Sequence, residues 1–369
     1  MSHCDILIVG AGIAGASLAA ELAGRRSVVL LESEDLPGRH ATGRSAAFFA
    51  ETYGGPDIQP LTAASRAFFE APPDGFTEAT LLGPRGALHV AASEATETLA
   101  ALERDFASQP GIFESLPTGE AGRRVPILKE DRNGRALWEA GCRDIDVAAL
   151  HAGYLRSAKR QGATLVTDAE FLSARREGGR WQVESRAGKH GAEILVDAAG
   201  AWADEVARRA GVQPVGIQPY RRTMVVADID RPVDPAWPLV VDAEGKFYFK
   251  PDAGRLWISP HDEAPQPAGD AQPAEIDVAI TVDRFERATT AKVTRLERTW
   301  AGLRSFAPDR LPVLGFDPDA DGFFWCAGQG GFGIQTAPAS ARLCAALILG
   351  DGPIPEGTDP QRYAAARLR

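Results

Sequence analysis

The apolar run Asp5-Ile6-Leu7-Ile8-Val9 ends in Gly10-Ala11-Gly12-Ile13-Ala14-Gly15, and a second apolar run, Ser27-Val28-Val29-Leu30-Leu31, ends in Glu32. These residue types at this spacing do one kind of chemistry: they hold a dinucleotide. Gly10 permits a tight turn, Gly12 lets the backbone approach a pyrophosphate, and Gly15 lets the following helix pack close to the strand. A helix from Gly15 to Ala23 then directs its N-terminal amides at the phosphates. Glu32 lies twenty positions past Gly12, at a strand end, where a carboxylate accepts both ribose hydroxyls. The acid disfavours a 2′-phosphate, so NAD or FAD is expected rather than NADP. Alone, the glycine pattern would read as a surface turn. The strand before it, the helix after it and the acid in register make it a nucleotide site.

Other segments must complete that site. A Gly/Ser/Arg-rich loop, Gly38 to Ser45, follows the second strand. Ile194 to Trp202 reads as a buried strand ending on Ala199-Gly200-Ala201-Trp202, where backbone can lie against a cofactor. Near the end, a strand from Phe323 to Ala327 runs into Gly328-Gln329-Gly330-Gly331-Phe332-Gly333 and a helix from Gln335 to Leu349. Between these lie helical stretches at Leu61 to Phe69 and Glu94 to Phe106, and a strand at Ala87 to Val90. Asp146 and Val147 open a helix, His151 to Gln161, capped by Gly162; a strand at Ala163 to Val166 and a hairpin around Gly178-Gly179 follow. From Pro214 to about Thr299 the texture changes. Strands at Arg222 to Ala227, Lys246 to Lys250 and Leu256 to Ser259 alternate with Pro-rich connections, of which Pro265 to Pro273 is expected to be an exposed loop. The pattern predicts a second lobe built on an antiparallel sheet. The expected division is 1–50, 141–213 and 305–369 for the nucleotide lobe, and 51–140 and 214–304 for the substrate lobe. The last ~15 residues are expected to be peripheral.

Composition agrees with a two-lobed globular protein. At 369 residues the chain exceeds one ordinary core. Its 44% hydrophobic and 24% charged residues describe a globular protein, and the net charge of -10 disfavours nucleic acid and anionic membranes as partners. No apolar run approaches the ~20 residues of a membrane span, and Asp5 ahead of the first apolar run argues against a signal peptide. Cys4, Cys142, Cys326 and Cys344 are scattered, with no C-x-x-C and no histidine at ligand spacing, so no metal site is expected. A reduced, cytoplasmic chain follows, at most peripheral to the inner membrane.

Together the N-terminal fingerprint, the Val196-Asp197-Ala198-Ala199-Gly200-Ala201-Trp202 turn and the Gly328 to Gln335 segment resemble the D-amino-acid oxidase family of FAD-dependent amine oxidoreductases. The likeness extends along nearly the whole chain. Asp309-Arg310-Leu311-Pro312-Val313-Leu314-Gly315 resembles that family's turn ahead of its last flavin-binding strand. Thr42 to Ala47, Leu61 to Phe69, Lys250 to Gly254 and Thr299 to Phe306 are most similar to bacterial D-amino-acid dehydrogenases of the D-arginine type. The resemblance implies a glutathione-reductase-like FAD-binding Rossmann domain with an antiparallel-sheet substrate domain. Gly10, Gly12, Ile13, Ala14 and Gly15 would serve the diphosphate and Glu32 the ribose. Thr42, Gly43, Arg44 and Ser45 would meet the flavin side, and Ala199, Gly200 and Trp202 would lie against the cofactor. Gly330, Gly331, Gly333, Ile334 and Gln335 would bring amides and a helix N-terminus to flavin N1 and the C2 carbonyl. Some relatives attach flavin to a cysteine just before the Asp-x-x-Pro turn. Gly302-Leu303-Arg304-Ser305 has none and Cys326 is expected to be packed, which implies noncovalent FAD.

The resemblance also implies a substrate. An amino acid needs its carboxylate clamped, which arginine does best through paired charge-assisted hydrogen bonds. Arg222, at the start of an alternating strand, and Arg304, between Leu303 and Phe306, match the subgroup's substrate arginines; Arg221 reads as a surface ion pair. Tyr53 and Tyr248 match its flanking tyrosines, with Phe247 and Phe249 on the face opposite Tyr248. Relatives acting on cationic D-amino acids carry a glutamate at the position of Ala87 and a histidine at that of Phe48. Here Ala87, and Phe48 with Phe49, imply an apolar wall and a neutral side chain. The implied reaction oxidises the CH-NH2 group of a D-amino acid by hydride transfer to flavin N5. The imino acid then hydrolyses to a 2-oxo acid and ammonia, and oxygen or a quinone is the final acceptor. The alternative is a glycine/sarcosine-type secondary amine oxidase.

Overall fold

The computed structural model describes residues 2–369. Ser2–Val9 lies inside an eight-stranded sheet, and Ile6, Leu7 and Ile8 are buried because helices cover both faces. Val28–Leu31 and Gly188–Asp197 flank it in parallel, extended by Thr164–Val166 on one side and Phe323–Ala327 on the other. The hairpin Phe171–Glu177/Arg180–Ser185 and the strand Val313–Phe316 add antiparallel margins. Helices Ile13–Leu22, Val147–Arg160 and Gly333–Leu349 pack one face, and Ala203–Arg209 the other. Asp146 caps Val147–Arg160 by accepting the Ala149 amide at 2.8 Å. At Gly15 a Cβ would stand 1.9 Å from the Gly10 carbonyl oxygen. Only glycine lets the first helix approach the first turn so closely.

The second sheet has nine strands. Its long ladder joins Gln218–Ile229 to Val293–Phe306, and it continues through Arg255–Ser259, Tyr248–Asp252 and Leu239–Asp242. The sheet then recruits Ala87–Val90, which pairs in parallel with Leu239–Asp242, followed by Ala136–Glu139 and Glu114–Leu116. It is therefore antiparallel with one parallel seam. Helix Glu275–Ala288, absent from the sequence reading, packs Phe285 edge-on against Phe249 at 5.3 Å. Its periodicity is blurred because Ile276, an apolar residue, is exposed. Phe247 and Phe249 stack on the far face from Tyr248, as the alternation requires.

Four expectations are corrected. Arg222 sits within its strand, and the run from Arg222 to Ala227 is buried throughout, because strands and packing cover both faces. Pro265 to Pro273 is not simply an exposed loop: Ala271 is buried and its carbonyl accepts Arg44 Nη1 at 2.8 Å. Only Phe48 faces the pocket. Phe49, its neighbour on the strand, points the other way into the nucleotide-lobe core and packs on Phe69 at 5.6 Å. The C-terminus is not peripheral either, since Tyr363 is buried and donates to the Asp57 carbonyl at 2.7 Å. Among the described residues, no helix is long and apolar enough to cross a membrane.

Candidate active site

A cleft of about 510 Å³ runs from the carboxyl ends of the parallel strands to the ladder of the second sheet. Gly10, Gly12, Ile13, Ala14, Glu32, Thr42, Arg44 and Ser45 line it on one side. Ala199, Gly200, Trp202, Gly330, Gly331, Gly333 and Ile334 line it on the others. Thr42 Oγ1 accepts the Ile13 amide at 3.0 Å, which fixes the loop after the second strand over the first helix. Glu32 Oε2 accepts the Ala11 amide at 3.0 Å and Oε1 the Glu34 amide at 3.0 Å, leaving lone pairs for ribose hydroxyls. On the other side of the same turn, His151 Nε2 donates to the Ala11 carbonyl at 2.8 Å. Burial pushes the His151 pKa down, against the pull of the Ala11 carbonyl and the Glu32 charge.

Helices Ile13–Leu22 and Gly333–Leu349 both open on this cleft without a capping side chain or an acid in the first turn. Their free amides suit anionic groups. A dinucleotide therefore fits the residues present: small side chains, an acid at the ribose position, and two helix N-termini.

Three predicted cofactor residues do not line the cleft. Gly15 packs helix on strand, and Gly43 closes a turn by donating to the Gly38 carbonyl at 2.7 Å. The Gln335 side chain is consumed internally: it donates to the Tyr53 carbonyl at 3.0 Å and Thr62 Oγ1 at 2.9 Å, and accepts the Ala50 amide at 3.2 Å. Arg44 lines the cleft, but its guanidinium joins the lobes, reaching the Ala271 and Ala301 carbonyls and the Asp270 carboxylate. At the opposite end, Ala169, Glu170 and Phe171 also line the cleft. The sequence reading gave that strand-to-strand connection no role.

At its inner end the cleft meets a cavity of about 20 Å³ lined by Ser45, Phe48, Tyr53, Tyr248, Arg304 and Gly331 among others. Phe48 contacts Tyr53 edge-on at 5.1 Å and Tyr248 at 6.0 Å, and Tyr53 meets Phe332 at 6.3 Å. Tyr53, Tyr248 and Arg304, predicted from distant parts of the chain, thus share one small space, and Arg222 stands behind it.

The two arginines differ. Arg222 Nε donates to the Asp262 carbonyl at 2.8 Å and Nη2 to Glu263 at 3.1 Å, while Nη1 is buried without a partner. Arg304 is only 7% exposed and, among the described residues, makes no side-chain hydrogen bond or ion pair. Burial, then the Arg222 charge, pushes its pKa down from the usual arginine value, against the pull of Tyr53 and Tyr248. Arg222 is held up, despite burial, by Tyr53, Tyr248, Glu263 and Asp262. Burial also raises the Tyr248 phenol. His261, which the sequence reading missed, packs edge-on to Tyr248 at 5.7 Å and donates from Nδ1 to the Gly245 carbonyl at 2.9 Å. Burial and the Arg222 charge push its pKa down to about 3. Nothing in the Pro-rich segment around it marked that position. His151 was given no role either; its one signal was a polar residue on a helix face shared with the buried Leu150, Tyr154 and Ala158.

Comparison with known proteins agrees with this geometry. The glycine oxidase of Geobacillus kaustophilus strain HTA426 is 27% identical over 365 residues, covering 94% of each chain. That of Pseudomonas aeruginosa is 28% identical over 377 residues and covers 98% of each. The crystal structure of glycine oxidase from Geobacillus kaustophilus superimposes with a TM-score of 0.86 at 24% identity, over 100% of this chain and 99% of that one, and shows the shared two-domain fold. These relatives support the family and a glycine oxidase likeness, and they do not bear out the narrower likeness to D-arginine-type dehydrogenases. Cys326 is buried with its Sγ 4.0 Å from that of Cys344, away from the cleft, in keeping with a noncovalent cofactor. Residues 5–347 match the model of the DAO family, FAD dependent oxidoreductase, and the chain belongs to that family with FAD as its noncovalent cofactor.

Proposed function

We propose that this enzyme oxidises the carbon–nitrogen bond of a small neutral amino acid, with glycine and its N-methyl derivative sarcosine as the leading substrates. The observation that carries this reading is Arg304, a buried guanidinium with no acid of its own facing a small cavity. Such a group is costly to bury unless a ligand supplies the counter-charge, and an amino-acid carboxylate does so in two parallel hydrogen bonds. Arg222 Nη1 adds one further donor, and Tyr53 and Tyr248 add hydroxyls. Phe48, Tyr53 and Tyr248 crowd the space beside Arg304, which favours small side chains. The relatives named glycine oxidase support the same choice. FAD, when bound, supplies the two-electron acceptor for the substrate's Cα–H bond. The chain's own work is to orient the carboxylate and shield the reacting carbon with the aromatic box; the ammonium gives its proton to solvent on entering the pocket, so no side-chain base is required. In this reading 1–50, 141–213 and 305–369 hold FAD, while 51–140 and 214–304 carry the substrate groups.

A second reading, a D-amino acid with an apolar side chain, is favoured by the apolar cluster in which Ala87 and Met224 pack with Tyr248 and Phe48, although of these only Tyr248 and Phe48 line the cavity. Anaerobic flavin reduction across glycine, sarcosine and D- and L-amino acids tests both. Fastest reduction by glycine or sarcosine is the expected outcome, and fastest reduction by a larger neutral D-amino acid would transfer the function to the second reading. Fastest reduction by D-arginine would overturn both.

A further inference from the structure

We propose that Glu263 sets the affinity of the carboxylate pocket, acting as an internal rival for Arg222. Glu263 Oε1 accepts Arg222 Nη2 at 3.1 Å, while both of its oxygens accept Arg310 Nη2, at 2.8 and 3.0 Å. One carboxylate is therefore shared between a buried pocket arginine and a half-exposed arginine of the other lobe. Its position is fixed. The adjoining Ala264–Pro265 strand pairs with Tyr220 and Arg221, and the preceding Asp262 carbonyl takes Arg222 Nε. Arg310 is held in turn by its guanidinium lying 3.9 Å over the Phe306 ring.

The consequence is electrostatic. Glu263 occupies one of the Arg222 donors and lowers the positive potential that an incoming carboxylate meets. Arg310 draws Glu263 away from Arg222 and so restores part of that potential. The two residues should act with opposite sign on anion binding, which a merely structural role for either would not produce.

This inference rests on the reading of Arg304 and Arg222 as the carboxylate site. The test measures acetate binding to the FAD-loaded enzyme by calorimetry and by perturbation of the flavin absorbance. Glu263→Gln should bind acetate about three- to tenfold more tightly, and Arg310→Met, which keeps a side chain on Phe306, should bind it more weakly by a similar factor. Glu263→Asp serves as a milder replacement if the first variant misfolds. Its shorter arm should loosen the contact with Arg222 and tighten acetate binding to a smaller extent. Unchanged acetate affinity in the Glu263 variants, or the same sign in the Glu263 and Arg310 variants, overturns the proposal while leaving the carboxylate site standing. Acetate binding that survives in Arg304→Met overturns the site itself and this inference with it.

Discussion

Arg222 and Arg304 stand two register positions apart on paired strands, Arg304 lining the pocket and Arg222 behind it, yet among the described residues only Arg222 has a counter-charge. Arg222 faces Gly302 across the ladder, and Tyr220 faces Arg304. A Cβ on Gly302 would stand 3.2 Å from Arg304 Nη1, so the glycine clears the space that the free guanidinium fills. On the proposed function, the asymmetry makes Arg304 the better anchor for a ligand carboxylate.

Arg304→Met should therefore cost more than Arg222→Met. Loss of a desolvated, charge-assisted pair is worth about 2–4 kcal/mol, or roughly 30- to 1,000-fold in kcat/KM. Arg222 offers only Nη1, so its replacement should cost about tenfold. Steady-state kinetics at unchanged flavin absorbance decide the order.

The cofactor cradle is tested at Gly15. Gly15→Val puts a branched side chain where even a Cβ lies 1.9 Å from the Gly10 carbonyl oxygen. The turn must open, so the purified variant should be largely colourless and melt earlier than the parent. Acid treatment of the parent should release all of its flavin into the supernatant.

Stability should fall on the acid side. His261 has a folded pKa of about 3 against an ordinary 6.5, and His151 is lowered as well. Between the folded and unfolded values the unfolded chain binds protons that the folded chain refuses. Their contribution is thus full above about 6.5 and is lost as pH drops toward the folded pKa. The melting temperature should decline from pH 7 to pH 5. His261→Asn keeps a donor for the Gly245 carbonyl and tolerates the left-handed backbone at φ 55°, and its decline should be shallower.

Pocket size is set by Phe48. Phe48→Ala removes the ring that contacts both Tyr53 and Tyr248. Relative kcat/KM for larger neutral amino acids over glycine should rise by about 10- to 200-fold. An unchanged ratio would locate the size limit elsewhere in the box.

The dinucleotide half was legible from the chain alone. Gly10, Gly12, Gly15 and Glu32 lie in one strand–helix–strand unit, where local geometry ties function to spacing. The candidates Tyr53, Tyr248 and Arg304 came from family likeness, and the fold brings them to the lining of one cavity. What the sequence did not contain is who pairs with whom. The commitment of Gln335 to the Tyr53 loop, of Arg44 to the other lobe and of Glu263 to Arg222 spans separations of 282, 227 and 41 residues. Hydrogen bonds of that kind leave no periodic trace, since each depends on where two distant strands or loops come to lie. Only the packed structure decided that Arg222 is paired with an acid from within while Arg304, among the described residues, has none.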